Sequence, residues 1–135
     1  LNYLNDIKRN DVTQNTILVA AAMHDGNQLL NYLQEEMIKN RDTIYYFKFH
    51  PRATQDIEKI KKLNKPNIIA VSDALTKYLS FVSEVVVTQS SVGYEAYLLE
   101  IPVRVISLPN KINDSPLLDI YEKEKSSLIE IDYYY

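Results

Sequence analysis

The fold of this chain follows from one stretch, EVVVTQSSVGYEA, at residues 84–96. The stretch begins as an apolar, β-branched run, breaks at two serines, and resumes as a pattern compatible with a helix. Because β-branched residues favour strands and serine favours helix starts, it predicts a buried strand entering a helix through a hydroxyl-rich turn. Backbone N–H groups at a helix start lack intrahelical partners, so we expect this turn to attract a phosphate.

The same alternation of apolar runs and helical patterns occurs on both sides of this stretch. Besides the strand that begins at Glu84, strands are predicted at 16–22, 43–49, 67–71, 103–107 and 128–131. Helical spacing of apolar residues fills the gaps between them. The alternation predicts an α/β fold with a doubly wound, Rossmann-like parallel sheet and helices on both faces. Right-handed crossovers favour strand order 3-2-1-4-5-6, with ligands binding at the strand carboxyl ends beside the reversal between strands 1 and 4.

Several local patterns predict how the helices begin. Asp25, with Gln28 three residues later, resembles a capping box. Ser72 or Asp73 is expected to cap the third helix, and Pro116 suits the first position of the last one. The chain has only 2 glycines, each after an apolar strand, and we expect them where the backbone needs glycine. Glycine in a first helical turn is unfavourable, so we expect a ligand or another chain segment to approach Gly93 closely.

Composition limits the class of protein. The chain has 135 residues, of which 46 % are apolar and 24 % charged, so we predict one domain at 16–132. Residues 1–15 are polar and are expected to form a flexible arm or linker remnant. A net charge of −3 gives no reason to expect a nucleic-acid partner. The absence of cysteine excludes disulfides and thiolate metal sites. Because the chain begins at Leu1 rather than Met, we expect a piece of a longer protein.

Polar loops follow the first four predicted strands and should therefore share one sheet edge. They are His24-Asp25-Gly26, His50-Pro51-Arg52, Ser72-Asp73 and Ser90-Ser91. Each has a structural alternative, since the serines can cap a helix and His50 can bond a backbone carbonyl. Glu95, in the first helical turn, can simply complement the helix dipole. With no cysteine and few carboxylates at this edge, no metal site is expected, and neither a Gly-x-Ser-x-Gly nor a Gly-x-Gly-x-x-Gly motif occurs.

Two of these motifs together carry a family resemblance. FKFHPR at 47–52, followed by TQSSVGYEA at 88–96 and IPV at 101–103, resembles the carboxyl-terminal, donor-binding domain of GT-B glycosyltransferases. The pattern is most similar to bacterial sialyltransferases and polysialyltransferases and to capsule or teichoic-acid polymer transferases. Enzymes of these kinds use CMP- or CDP-activated donors. The resemblance covers roughly residues 16–107.

The resemblance implies a donor site with named residues. His50, when protonated, would stabilise the leaving phosphate as the catalytic group, with Pro51 fixing its turn. Ser90 and Ser91, beside Gly93, would bind phosphate oxygens, and Glu95 would bind a ribose hydroxyl. The turn at Ser72 and Asp73 would contact the nucleobase. The family's acidic catalytic base belongs to the amino-terminal domain, and His24-Asp25-Gly26 does not match its position.

The implied function is donor binding in an inverting, metal-independent bacterial glycosyltransferase that uses CMP-sialic acid or a related donor for surface polysaccharide or lipooligosaccharide synthesis. Its partner would be an amino-terminal acceptor domain, without which this chain is expected to be inactive. The implied location is cytoplasmic, with the full-length enzyme associated peripherally with the inner face of the membrane. Two alternatives stay open: a UDP-sugar epimerase-like domain of the same fold, and a non-enzymatic α/β interaction module.

Overall fold

A computed structural model describes residues 4, 6–9, 12–109, 113 and 115–134, positions 54 and 55 by backbone alone. The strands form one parallel sheet in the order β3-β2-β1-β4-β5-β6. They are β1 (Thr16–Ala20), β2 (Ile44–Lys48), β3 (Ile68–Ala70), β4 (Glu84–Val87), β5 (Val103–Ser107) and β6 (Ile129–Tyr133). The helices between them are α1 (Gly26–Lys39), α2 (Ile57–Leu63), α3 (Thr76–Leu79), α4 (Val92–Leu98) and α5 (Pro116–Glu124). A 3₁₀-helix at Pro51–Asp56 precedes α2.

This architecture confirms the predicted α/β class, the six strands and the 3-2-1-4-5-6 order. The sheet buries both faces because successive side chains of a strand point to opposite sides. On β1, Leu18 and Ala20 belong to the core beneath α3, α4 and α5, whereas Val19 belongs to the core beneath α1 and α2. Val85 and Val86 on β4 divide in the same way. Continuous apolar runs therefore correspond to strands covered on both sides.

The starts of α3 and α5 compare differently with the sequence predictions. The third helix begins at Thr76, and neither Ser72 nor Asp73 caps it, because the N-cap position is Leu75 and no side chain bonds there. The predicted cap is therefore wrong, and Asp73 pairs instead with Lys77 at 2.9 Å. At the start of α5, Pro116 occupies the first turn as predicted, and the Ser115 hydroxyl accepts a hydrogen bond from Leu117 N at 3.2 Å.

The two glycines serve packing rather than backbone conformation. Neither has a positive φ, while Asn15, Asn64, Glu100 and Lys125 do. A Cβ atom at Gly93 would lie 2.7 Å from Val87 Cγ2 and 2.9 Å from Leu117 Cδ1. At Gly26 a Cβ atom would lie 2.5 Å from Cδ1 of Phe49. Neither glycine has the left-handed backbone that requires glycine, whereas other chain segments approach Gly93 closely, as expected for a glycine in a first helical turn.

The described residues ahead of β1 contact the α/β body. Leu4 is buried, and Ile7 packs against the core beneath α3, α4 and α5. Arg9 Nη1 donates hydrogen bonds to the carbonyls of Leu79 and Val82, at 2.9 and 2.8 Å. The boundary at residue 16 and the flexibility of the arm stay predictions, and positions 1–3, 5, 10 and 11 lie outside the described residues. Among the described helices, none combines the length and apolar character that crossing a bilayer requires.

An ionic cluster lies on the α1 face of the sheet. Arg104 on β5 forms a bidentate pair with Glu36 of α1, at 2.6 and 2.9 Å, and contacts Glu84 at 3.3 Å and Asp132 at 3.6 Å. Tyr45 donates a hydrogen bond to Glu36 at 2.9 Å. The cluster surrounds one guanidinium with three carboxylates and links α1 to β4, β5 and β6.

Candidate functional site

The sheet order brings the predicted loops to one edge. β1 lies between β2 and β4 and runs parallel to both, so the residues that follow these three strands emerge at the same carboxyl edge. The chain reverses direction across the sheet between β1 and β4, which is where ligands of open α/β sheets bind. With strands about 4.8 Å apart, the ends of β2 and β4 are separated by roughly 10 Å.

His50 is half-buried just after β2, at the start of a tight turn. Its carbonyl accepts a hydrogen bond from Ala53 N at 2.8 Å, and its Nδ1 accepts one from Arg52 N at 3.2 Å. A backbone N–H can only donate, so Nδ1 is the acceptor and the proton of the neutral ring lies on Nε2. Protonation of Nδ1 would break this bond. His50 can therefore present Nε2–H to a ligand while Nδ1 holds the turn.

Ser90 and Ser91 lie at the other side of β1, at the entry to α4. The Ser90 hydroxyl accepts a hydrogen bond from Val92 N at 3.3 Å, and its carbonyl accepts one from Gly93 N at 3.1 Å. Ser91 occupies the N-cap position in helical conformation, is exposed, and makes no side-chain cap bond. Ser90 thus supports the turn, which matches its structural alternative, and Ser91 is the serine whose hydroxyl is open to a ligand.

The predicted capping box at Asp25 is wrong. Asp25 is 5 % exposed and makes no cap bond to α1. Its Oδ1 accepts a hydrogen bond from Ala22 N at 2.8 Å, and its Oδ2 accepts one from the Thr88 hydroxyl at 2.6 Å. The carboxylate faces across the crevice because the end of β4 offers a buried hydroxyl donor there. The interaction joins the loops that follow β1 and β4.

The remaining predicted site residues lie on the same edge with different exposure. Glu95 is half-buried in the first turn of α4, and Gly93 is buried beneath it. Ser72 and Asp73 are exposed after the edge strand β3, and Lys48 donates a hydrogen bond to the Asp73 carbonyl at 2.8 Å. The hydrogen bond from Lys77 lowers the pKa of the Asp73 carboxyl. The contacts of these residues with a nucleotide-sugar donor stay predictions.

Two hollows open at this edge. A cleft of about 640 Å³ lies between the α1 start and the 3₁₀-helix, and His24 and Arg52 contribute to its walls. A much smaller cavity, of about 10 Å³, is lined by Asp25, Thr88 and Asn113 together with apolar side chains. Neither of these two hollows is lined by His50, Ser90 or Ser91. Within the described residues, no group of three acidic or histidine side chains is arranged to hold a metal ion.

Sequence patterns missed two residues of the site. Thr88 is 2 % exposed, and its carbonyl accepts a hydrogen bond from Asn113 Nδ2 at 2.9 Å. Asn113 Oδ1 in turn accepts one from Ser115 N at 2.9 Å, so it connects the α5 cap to the end of β4. For Thr88, the available signal was its position directly after a buried strand. For Asn113 no local pattern was available, because its bond to Thr88 joins residues 25 positions apart.

Known proteins resemble this chain in fold. No family model matches the sequence, and no curated protein matches it. Among solved structures, the UDP-GlcNAc 2-epimerase of Methanocaldococcus jannaschii, in complex with UDP-GlcNAc and UDP, superposes with a TM-score of 0.59 at 14 % identity. That match covers 96 % of this chain and 36 % of the epimerase. KpsC of Thermosulfurimonas dismutans, a beta Kdo 2,7 transferase, matches with a TM-score of 0.51 at 22 % identity.

These likenesses support a GT-B-like half-domain, the fold that the motifs imply. The KpsC match covers 77 % of this chain and 37 % of KpsC, so the chain spans little more than a third of either structure. At these identities the match establishes the fold, and the two structures themselves differ in activity.

Proposed function

We propose that this chain is the donor-binding half of a GT-B glycosyltransferase-type enzyme that acts in surface or capsule polysaccharide synthesis. The observation that carries the proposal is the position of His50 and of Ser90–Ser91 on the two sides of β1, at the carboxyl edge. A nucleotide phosphate over the end of β1 would meet hydrogen-bond donors of the protein from both loops. The beta Kdo 2,7 transferase and the UDP-GlcNAc 2-epimerase that resemble this chain in fold add support.

The proposed role of His50 is to donate a hydrogen bond from Nε2 to a phosphate oxygen of the donor. Charge develops on this phosphate as the sugar leaves, and a preplaced donor stabilises that charge. Because Nδ1 already accepts the Arg52 N–H, the ring is oriented before the donor arrives. Pro51 begins the 3₁₀-helix and limits the backbone of the same turn.

The remaining assignments follow the resemblance. Ser91 would bind a phosphate oxygen through its exposed hydroxyl, whereas Ser90, which the resemblance also implies as a phosphate ligand, would support the turn together with Gly93. Glu95 would accept a hydrogen bond from a ribose hydroxyl, and the turn at Ser72 and Asp73 would border the nucleobase. The reaction would be inverting and metal-independent, and the catalytic base would come from an amino-terminal acceptor domain. Alone, the chain would bind a donor weakly and transfer no sugar.

Identity of the nucleotide divides the two enzyme candidates. The motifs favour CMP- or CDP-activated donors, with CMP-sialic acid as the specific proposal. The similar epimerase, whose structure contains UDP-GlcNAc and UDP, favours a UDP-sugar. We propose a cytoplasmic enzyme at the inner face of the membrane, because activated donors and the polymers built from them meet there.

The test is an NMR titration of the chain with CMP, CDP and UDP. Amide shifts centred on His50 and residues 90–95 with CMP or CDP support the transferase proposal, and the same shifts with UDP alone favour the epimerase-like alternative. Absence of shifts with every nucleotide would leave the interaction module and reject a donor-binding role.

Two substitutions of His50 separate its ring nitrogens. In His50→Asn the side-chain oxygen can replace Nδ1 as acceptor of the Arg52 N–H, but the Nε2 donor is lost. In His50→Gln the amide nitrogen can replace Nε2. We expect roughly tenfold weaker nucleotide binding for His50→Asn, partial recovery for His50→Gln, and no change for His24→Ala, an exposed histidine of the same edge. If all three variants bound nucleotide as tightly as the parent, His50 would not belong to the donor site.

A further inference from the structure

A buried series of hydrogen bonds lies at the carboxyl edge. It involves none of the residues that are assigned to the donor site. Asp25 accepts from Thr88, the Thr88 carbonyl accepts from Asn113, and Asn113 accepts from Ser115. Asp25, Thr88 and Ser115 are all buried, at 5, 2 and 9 % exposure. The chain of bonds therefore joins the loops that follow β1, β4 and β5 at one place.

Both oxygens of the Asp25 carboxylate accept hydrogen bonds from within the protein. Among the described residues, no lysine or arginine pairs with it, and its two oxygens accept from the Ala22 amide and the Thr88 hydroxyl. Burial of a carboxylate is costly unless hydrogen bonds replace its water, so this acceptor holds its donors tightly. Thr88 is consequently fixed at both its hydroxyl and its carbonyl.

Thr88 lies two residues before Ser90, at the base of the turn that enters α4. Any displacement of Thr88 would move Ser90, and with it the Ser90 bonds to the amides of Val92 and Gly93. The position of the exposed Ser91 hydroxyl depends on the same turn. No other described hydrogen bond of the Thr88 hydroxyl competes with Asp25 for this role.

We propose that Asp25 is a positioning residue of the donor site, which acts through Thr88 to hold the β4–α4 turn in the geometry that binds phosphate. This inference rests on the proposed function, because it assigns a role toward the same donor. Asp25 itself does not contact the donor. Its effect should appear as nucleotide affinity and as rigidity of residues 90–93.

The experiment compares substitutions of Thr88 in the 135-residue chain. Thr88→Val keeps the shape and removes the hydroxyl donor, whereas Thr88→Ser keeps the hydroxyl. We expect Thr88→Val to weaken binding of the nucleotide that the parent chain binds best by roughly tenfold, and Thr88→Ser to stay within about twofold of the parent. Without nucleotide, amide hydrogen exchange at Val92 and Gly93 should be faster in Thr88→Val only.

Asn67→Ala is the matched control for lost stability. Asn67 is 8 % exposed, precedes β3 at the opposite edge, and donates to three carbonyls, those of Met37, Asn40 and Thr43. Its loss should lower stability while nucleotide affinity and exchange at Val92 remain as in the parent. Affinities are compared under conditions in which each variant is folded.

The outcomes separate this inference from the proposed function. If the parent binds nucleotide and Thr88→Val binds equally well with unchanged exchange, Asp25 and Thr88 are structural only and the inference is wrong. If the parent binds no nucleotide, the proposed function fails as well. Should Thr88→Val not fold, Asn113→Ala tests whether binding depends on a fixed Thr88, because it frees the Thr88 carbonyl and should give smaller changes in the same direction.

Discussion

The Thr88 hydroxyl donates a 2.6 Å hydrogen bond to the buried carboxylate of Asp25, across the point where the sheet reverses its strand order. The two residues are 63 positions apart in the chain and follow adjacent parallel strands. The contact joins the loops on the two sides of the crevice between β1 and β4.

A double-mutant cycle should measure this contact. We expect Asp25→Ala and Thr88→Val to be coupled by about 1.5–3 kcal/mol in the free energy of unfolding, the range for hydrogen bonds to charged groups. Urea unfolding of the parent, both single variants and the double variant gives the value. Thr88→Val combined with Asn67→Ala serves as control, since residues at opposite edges should be additive to within about 0.5 kcal/mol. Additivity of the Asp25 pair would contradict the bond.

The Arg104 cluster predicts opposite pH dependences for two of its carboxylates. The Arg104 hydrogen bond lowers the pKa of Glu36, which outweighs the effect of burial. Burial raises the pKa of Glu84, although Arg104 opposes this. Glu36 therefore adds stability above its unfolded pKa of about 4.3, and this stability is lost as pH falls through the lower folded value. For Glu84 the protonated form is favoured, so stability is lost as pH rises through its raised value.

Glu36→Gln and Glu84→Gln test these signs as a pair. At pH 7 we expect Glu36→Gln to cost about 1–3 kcal/mol, with a difference from the parent that shrinks below pH ~4. Glu84→Gln should cost less at pH 7 and should remove the loss of stability that the parent shows between mildly acidic and neutral pH. Thermal unfolding across pH 3–8 measures both. A parent and a Glu84→Gln variant with identical pH profiles would contradict the Glu84 assignment.

Packing around Gly93 predicts a loss of stability on adding one methyl group. Alanine favours helices over glycine by up to about 1 kcal/mol, yet the new Cβ atom would lie 2.7 Å from Val87 and 2.9 Å from Leu117. Overpacking of this kind costs about 1–3 kcal/mol, so we expect Gly93→Ala to be destabilising overall. Gly93→Ala should cost less in a Leu117→Val background than in the parent, because the shorter side chain opens space beside the new methyl group. A Gly93→Ala variant more stable than the parent would show that the contact relaxes freely.

Sequence periodicity predicted the sheet because apolar runs of strand length alternated regularly with segments whose apolar residues have helical spacing. Continuous apolar runs such as 16–20 are required for strands covered on both faces, and short connections leave few topologies. Strand boundaries at 43–49 extended one residue too far at each end, since Thr43 and Phe49 continue the apolar pattern beyond the ladder. The order of the strands could then be predicted from the right-handedness of the crossovers.

The candidate site was predictable as an edge but not as a set of contacts. Loop positions follow from topology, so His50 and Ser90 could be assigned to one edge in advance. The partner of Asp25 could not be assigned, because a local capping pattern and a distant hydroxyl compete for the same carboxylate. For Gly93 a close approach could be expected, but the crowding residues Val87 and Leu117 could not be identified, because they belong to other elements of the fold.

The end of α4 predicts a stabilising substitution. Glu100 has φ 61° just after the helix, Ile101 N donates to Ala96 O at 2.9 Å, and Glu100 N donates to Tyr97 O at 3.0 Å. This is the Schellman arrangement, in which the left-handed residue is usually glycine because a side chain costs about 1–2 kcal/mol there. We expect Glu100→Gly to raise the free energy of unfolding by about 0.5–1.5 kcal/mol.

Glu100→Ala separates the backbone effect from the loss of an exposed charge. Alanine removes the carboxylate but keeps the Cβ atom, so Glu100→Ala should leave stability within about 0.5 kcal/mol of the parent. Urea unfolding of the parent and both variants compares them directly. Equal gains for alanine and glycine would assign the effect to charge, whereas a gain for glycine alone shows that this helix end stores conformational strain at a left-handed glutamate.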